Sequence, residues 1–177
     1  PEGYAAAADA ADGITSEGTG FRITSDTTFP SIFNATPGEH TEVLYQGGPA
    51  ATLVSGSRVT VHPTDGYVLP DGYLEAAATL DGITVSDGML TVSADVVLPG
   101  IYRIEFIVDA YLSEVSDSGL TLYGVKNHIF ILPMPENRDG FTFLCWYNYD
   151  NDFLYEDRKI ITDKDTVVAG FWDVKSY

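Results

Sequence analysis

Short runs of alternating residues, separated by turn residues, most constrain what this chain can fold into. Gly, Pro and Asp interrupt the sequence at short intervals, and the runs between them include "SRVTVH", "MLTVSA" and "IYRIEFIV". Alternation of apolar and polar residues is the period of a strand with one buried face. The pairs Asp81-Gly82, Asp87-Gly88 and Pro99-Gly100 supply typical turn residues between such runs. This pattern predicts an all-β dominated fold that contains a β-sandwich.

The run from Ile101 to Val108 predicts its own faces. Ile101, Arg103, Glu105 and Ile107 occupy alternate positions on one face, on which Arg103 and Glu105 are expected to reach solvent. The intervening positions are apolar and are expected to face the core: Tyr102, Ile104, Phe106 and Val108.

Composition limits the partners and the compartment. The 177 residues are 45% hydrophobic and carry a formal net charge of -17, which repels nucleic acid and anionic membrane surfaces. No apolar run approaches the roughly 18 residues needed for a membrane span. A single cysteine excludes an internal disulfide framework. The many Tyr, Gly, Thr and Asp residues favour an extracellular or cell-surface β-protein, and the start at Pro1 predicts a mature form or a piece of a larger polypeptide.

The stretch "ATLDGITVSDGMLTVSADVVLPGIYRIEFIVDA" resembles the immunoglobulin-like repeats of bacterial surface proteins. The positions that carry the resemblance are Gly82-Ile83, Gly88, Leu90, Pro99-Gly100, Tyr102 and Asp109. The resemblance implies an immunoglobulin-like β-sandwich over residues 20–132. Residues 1–19, rich in Ala, Gly and acids, are expected to form a flexible acidic leader before it.

The C-terminal stretch resembles the second half of a Listeria-Bacteroides repeat, a small β-grasp module of internalin-like surface proteins. The family's "P-x-x-x-G-Y-T-F-x-G-W-Y" corresponds to Pro135 and residues 140–147, and its closing "V-T-x-D-x-T-L-x-A-x-W" to residues 161–172. Cys145 stands where the family has Gly, and either Phe171 or Trp172 fills the last position. The resemblance implies a β-grasp-like module over residues 133–177. Its opening strand is either a degenerate form of "VKNHIFIL" or absent, in which case the half-module packs on the sandwich.

The aromatic residues of this module have two interpretations. A unit of about 45 residues needs large side chains to form a core, so Phe143, Trp146, Phe171 and Trp172 are expected to be buried. Strict alternation along residues 141–148 would place Phe141, Phe143, Cys145 and Tyr147 on one face. The rival interpretation is a ligand platform for a sugar ring or a protein, formed by Tyr147, Tyr149, Phe153 and Tyr155.

Catalytic and metal-binding motifs do not stand out. The three histidines, His40, His62 and His128, lack metal-ligand spacing. No G-x-S-x-G elbow surrounds a serine, and Cys145 is expected to be a small buried hydrophobe. We therefore expect no cofactor and no enzyme activity. For the acidic segment "YDNDFLYED", a solvated turn is the simpler interpretation, and a calcium site at Asp150, Asp152 and Asp157 is the alternative.

The sequence therefore predicts a non-catalytic module of a bacterial cell-surface or secreted protein that acts as a structural spacer. One alternative is an adhesion module that binds a carbohydrate, or a host or neighbouring-cell protein, through the C-terminal aromatic residues. Another is an accessory domain of a secreted hydrolase. We expect the chain neither to bind nucleic acid nor to insert into a membrane.

Overall fold

Strands supply most of the regular structure in residues 1–107, 117–135 and 139–175, which the computed structural model describes. The predicted all-β dominated class is confirmed, and the several sheets are consistent with a β-sandwich. The chain divides into two compact units. Unit 1 comprises Pro1–Thr64 and Tyr73–Pro99, and unit 2 comprises Asp65–Gly72 and Gly100–Tyr177.

Unit 1 contains two short helices and ten strands among its described residues. In chain order they are α1 (Tyr4–Asp9), β1 (Ile14–Glu17), β2 (Gly20–Ile23), β3 (Ile32–Thr36), β4 (Thr41–Tyr45), β5 (Gly48–Pro49), β6 (Thr52–Val54), β7 (Ser57–Pro63), α2 (Tyr73–Ala77), β8 (Ile83–Ser86), β9 (Met89–Val92) and β10 (Val96–Val97).

The strands of unit 1 form three sheets. One has five strands in the order β5-β4-β7-β9-β8, another has three in the order β10-β3-β6, and the hairpin β1-β2 forms the third. The sequence dictates the buried faces: Val59 on β7 and Leu90 and Val92 on β9 are fully buried at alternate positions. Burial of each such side chain contributes about 1.5–3 kcal/mol.

Unit 1 also contains an internal repeat. Residues 1–30, here repeat A, align without gaps to residues 70–99, here repeat B, at a spacing of 69 positions. The identical residue types begin at the pair Pro1 and Pro70 and end at Pro30 and Pro99. In repeat A they are Pro1, Gly3, Tyr4, Ala7, Ala8, Asp12, Gly13, Ile14, Thr15, Asp26 and Pro30.

The two repeats fold alike. Each has a short helix followed by a hairpin with a two-residue turn, β1-β2 in repeat A and β8-β9 in repeat B. Gly13 and Gly82 precede the hairpins with φ of 82° and 80°, a conformation that favours glycine. Their carbonyls accept hydrogen bonds of 2.8 Å from the N–H groups of Thr24 and Ser93, respectively. Residues 1–19, expected as a flexible leader, therefore contain α1 and β1 of repeat A.

Unit 2 contains seven strands among its described residues. They are β11 (Ile101–Ile107), β12 (Asp117–Val125), β13 (Phe130–Ile131), β14 (Phe141–Asn148), β15 (Phe153–Tyr155), β16 (Lys159–Ile160) and β17 (Thr166–Val174).

A five-stranded sheet in the order β12-β11-β17-β14-β15 organises unit 2. Strand β17 pairs parallel with β11 on one side and antiparallel with β14 on the other. Residues on both sides of the domain boundary predicted at Leu132 and Pro133 therefore share one sheet. Strand β13, from the run "VKNHIFIL", pairs antiparallel with β16 in a separate two-stranded sheet. The β-grasp arrangement stays a prediction.

The core of unit 2 forms on the predicted face of β11. Tyr102, Ile104 and Phe106 are fully buried, whereas Arg103 and Glu105 are partly exposed. The face prediction is confirmed for these positions, and Val108 lies outside the described residues. Ile101, on the face expected to reach solvent, is nevertheless fully buried. The remaining buried members of the core cluster come from five other places in the chain: Leu132, Trp146, Tyr155, Ile160 and Val168.

Strict alternation along β14 is wrong, because the strand contains a bulge. The register with β17 shifts between Phe143 and Cys145, which leaves Leu144 as the extra residue. Phe143 therefore packs against Trp146, with ring centroids 5.3 Å apart. In a strictly alternating strand, residues three positions apart would lie on opposite faces. Beyond the bulge, Cys145 and Tyr147 face away from the core that Trp146 enters.

Two buried tyrosines allow a matched test of the packing. The Tyr73 hydroxyl donates a 2.8 Å hydrogen bond to the Pro99 carbonyl, whereas the buried Tyr102 hydroxyl has no partner among the described residues. A satisfied hydrogen bond contributes about 0.5–1.5 kcal/mol, and an unsatisfied buried group costs about 1–3 kcal/mol. We expect Tyr73→Phe to destabilise unit 1 by about 1 kcal/mol and Tyr102→Phe to leave unit 2 as stable or more stable. Urea denaturation measures both changes in stability. Trp fluorescence reports on unit 2, because both tryptophans lie in that unit.

The same pair predicts a dependence on alkaline pH. Burial raises the pKa of Tyr73 and of Tyr102 to about 12. The unfolded chain loses these protons near pH 10, so their contribution to stability is complete below pH 10 and is lost as the pH rises toward 12. We expect Tyr102→Phe to reduce the loss of unit 2 stability between pH 9 and 11.5. If the loss of unit 2 stability with rising pH were the same in Tyr102→Phe, ionisation of Tyr102 would not be its cause.

Glycine substitutions test the geometry that the repeats share. A Cβ at Gly82 would lie 2.4 Å from the Ala94 Cβ and 2.9 Å from the Ala94 N, whereas a Cβ at Gly88 would meet open space. Both residues have positive φ, so both Gly→Ala changes carry backbone strain of about 1–2 kcal/mol. We expect Gly82→Ala to destabilise unit 1 by at least about 1 kcal/mol more than Gly88→Ala in urea denaturation followed by circular dichroism. Equal losses would contradict the close approach at Gly82.

Candidate ligand-binding groove

Strand register separates the aromatic residues of unit 2 onto two faces of the sheet. Directly opposed residues of neighbouring strands share a face. Trp146 lies opposite Tyr155 and Gly170, on the core face. Tyr147 lies opposite Leu154 and Ala169, on the other face. The sheet therefore buries one part of the aromatic stretch and presents the other.

A groove of about 410 Å³ lies on this second face. Its lining is mostly apolar, with a few polar groups: Tyr147, Tyr149, Asp152, Leu154, Ala169, Gly170 and Phe171. Ala169 is small, so β17 leaves room between the larger rings on this face. A concave, mostly apolar surface with a few polar groups is typical of a ligand site.

The β14-β15 turn positions the aromatic wall of the groove. The Asn148 side-chain oxygen accepts a 2.9 Å hydrogen bond from the Asp150 N–H, and the Asn151 side-chain oxygen accepts one of 3.2 Å from the Phe153 N–H. These bonds hold Tyr149 beside Tyr147, with ring centroids 4.7 Å apart and planes at 90°. The edge-to-face geometry is a favourable aromatic arrangement.

Tyr147 and Asp152 form the polar end of the groove. The Tyr147 hydroxyl donates a hydrogen bond to the Asp152 carboxylate. This bond raises the pKa of Tyr147, with smaller contributions from desolvation and from the charges of Asp152 and Tyr149. The phenol therefore stays protonated well above neutral pH.

The four aromatics predicted as a ligand platform do not form one surface. Tyr147 and Tyr149 line the groove, and Tyr149 is 57% exposed. Phe153 is 53% exposed but lies opposite Asn148, on the core side of the sheet edge. Tyr155 is buried in the core, where the Asn148 amide donates a 3.3 Å hydrogen bond to its hydroxyl.

Of the four aromatics expected in the core, Phe171 is the exception. Trp146 and Trp172 are buried as predicted, and Phe143 packs against both. Phe171 is partly exposed and lines the groove. Adjacent strand residues point to opposite faces, so Phe171 and Trp172 cannot both enter the same core. Leu154 and Ala169, which the sequence analysis did not identify, also line the groove.

The three candidate calcium ligands have separate interactions. Asp152 accepts the Tyr147 hydroxyl, Asp150 lies 3.6 Å from the Lys164 ammonium, and Asp157 accepts a 3.1 Å hydrogen bond from the Lys159 N–H. Within residues 1–107, 117–135 and 139–175, no three His, Cys, Asp or Glu side chains form a group able to hold a metal ion.

Cys145 is buried and reduced, as expected of a small hydrophobe. Burial raises the pKa of its thiol, and the nearby Glu156 carboxylate raises it further. The thiolate is the nucleophilic form of cysteine. The environment of Cys145 therefore disfavours nucleophilic chemistry.

No protein-family model matches the chain, and no curated protein matches its sequence. In the part of the chain that the structure describes, no helix has the length and apolar character required to cross a membrane.

Substitution of Asp152 tests the polar end of the groove. We expect Asp152→Asn to lower the pKa of Tyr147 toward the ordinary tyrosine value of about 10, because the amide carries no charge. Tyrosinate absorbance across an alkaline titration measures this, and subtraction of the Tyr147→Phe titration isolates the one residue. An unchanged Tyr147 pKa would show that Asp152 is not its partner.

Proposed function

We propose that this chain is a non-catalytic module of a cell-surface or secreted protein, and that its groove binds a neutral carbohydrate. The observation that supports carbohydrate binding is the groove, which combines exposed rings with an acidic polar end. The surface context rests on the two resemblances to bacterial surface repeats.

The lining of the groove suits the two kinds of surface on a sugar ring. The Tyr149 and Phe171 rings offer flat apolar faces to the C–H groups of a pyranose. The Asp152 carboxylate has acceptor capacity beyond its bond to Tyr147, so it can accept from sugar hydroxyls. Because the turn hydrogen bonds already fix the neighbouring chain, little conformational entropy is lost on binding.

Charge selects among carbohydrates. The formal net charge of -17 and the carboxylate inside the groove repel sulfated, phosphorylated and sialylated sugars. Neutral oligosaccharides avoid this repulsion, so toward them Asp152 acts only as a hydrogen-bond acceptor.

A spacer is the second candidate function, and the internal repeat favours it. Repeated modules are typical of extended proteins in which each unit contacts its neighbours. The matching helix and hairpin in repeats A and B are a repeated element within unit 1 and support this candidate.

If the groove binds a glycan, loss of the Tyr149 ring should weaken binding and loss of the Phe153 ring should not, although the two rings are about equally exposed. We expect Tyr149→Ala and Phe171→Ala each to weaken binding at least about fivefold, since a buried aromatic contact is worth more than 1 kcal/mol. Phe153→Ala is the matched control, because Phe153 is as exposed as Tyr149 but lies on the core side of the sheet edge. An array of neutral and anionic oligosaccharides identifies the probe, and calorimetry with that probe measures the affinities.

Two results would contradict the proposal. Equal loss of affinity in Phe153→Ala and Tyr149→Ala would place the binding elsewhere. If no neutral oligosaccharide binds the intact chain, the groove is not a glycan site, and the spacer becomes the better candidate.

A further inference from the structure

Strand β2 combines an apolar face with a strand edge. Phe21 and Ile23 occupy alternate positions on β2 and are 36% and 57% exposed. The Phe21 ring packs edge-on against Phe29 and Tyr4, at centroid distances of 5.5 Å and 5.9 Å. Within the described residues, β2 pairs with β1 alone.

In repeat B the equivalent face is buried. Leu90 and Val92 stand at the positions of Phe21 and Ile23, and both are fully buried. Tyr73 and Leu98, the equivalents of Tyr4 and Phe29, are also buried. One difference between the repeats is a partner strand, because β9 pairs with β7 as well as with β8, whereas β2 pairs with β1 alone within the described residues.

The main chain of β2 is arranged to accept such a partner. In an antiparallel hairpin, alternate residues direct their N–H and C=O groups away from the paired strand. In repeat B, the Val92 carbonyl points in that direction and accepts a 2.9 Å hydrogen bond from the Gly56 N–H. The hairpins have identical registers, so Phe21 and Ile23 direct their main-chain groups toward the open edge.

We propose that β2 is a docking edge for a strand of the type of β7, supplied by a separate segment that resembles residues 31–69 but has an acidic or uncharged residue at the position of Arg58. The β7 of this chain already lies between β4 and β9, so a separate segment must provide the strand. This is β-strand addition, in which main-chain hydrogen bonds give affinity and alternate side chains give specificity. The docking edge is in unit 1, so this inference does not depend on the groove.

The register of repeat B specifies the side chains of the docked strand. Val59 pairs with Leu90, so an apolar residue is required opposite Phe21. Arg58 pairs with Thr91, the equivalent of Arg22. Because opposed like charges are destabilising on a sheet, the position opposite Arg22 takes an acidic or uncharged residue.

The test is an extended chain in which residues 31–69, carrying Arg58→Glu, are placed directly before Pro1 of the intact protein. The added segment then precedes Pro1 as it naturally precedes Pro70. We expect the amides of Phe21 and Ile23 to exchange with deuterium at least tenfold more slowly than in the parent chain. The Arg22 amide, which already faces β1, is the internal reference. The matched control adds Val59→Asp to the extra segment, which puts a charge opposite Phe21.

Three outcomes would overturn the proposal. The first is unchanged exchange of Phe21 and Ile23 in the extended chain. The second is equal protection in the Val59→Asp control, which would show that a specific strand is not required. The third is concentration-dependent protection in the parent chain, which would make the occupant a second β2 edge rather than a β7-type strand.

Discussion

The pairing of β17 between β11 and β14 is the constraint on which unit 2 depends. Its parallel contact with β11 joins Ile104 to Thr166, which are 62 positions apart. Its antiparallel contact with β14 sets which residues of the aromatic stretch face the core. A polar anchor lies at the start of the strand, where the Asp165 carboxylate accepts a 2.8 Å hydrogen bond from the Arg103 N–H and a 2.7 Å bond from the Tyr67 hydroxyl.

Repeats A and B show how one local sequence behaves in two environments. The glycine conformation and the hairpin register are the same in both, because local sterics and turn length determine them. Burial differs, because it depends on strands distant in sequence. Ile14 and Ile83 are both buried, but Ile23 is exposed where Val92 is not. The repeat sequence thus determines the local structure, whereas strands distant in sequence determine whether its apolar residues are buried.

The sequence was informative where the determinants are local. Alternation on β11 correctly placed Tyr102, Ile104 and Phe106 in a core, and the turn residues correctly indicated short strands. The repeat was also present in the sequence, as the shared "DGIT" following a shared Gly-Tyr pair.

The groove could not be predicted in the same way. A bulge at Leu144 reverses the faces along β14, and no residue type at that position signals it. The exposure of Phe171 and the burial of Tyr155 depend on long-range pairing with β14, which a single sequence does not reveal. The unit boundary was likewise hidden, because the parallel pairing of β11 with β17 is non-local.

The sheet of unit 2 divides its aromatic residues into a buried set and a set that lines the groove. Hydroxyl-radical footprinting of the intact protein, with oxidation measured residue by residue, tests this most directly. After correction for intrinsic reactivity, Tyr149 and Phe171 should be oxidised much faster than Tyr155, Trp146 and Trp172, since only the first two are exposed. Oxidation of Trp146 or Tyr155 at the rate of Tyr149 would contradict the division and remove the basis for the groove.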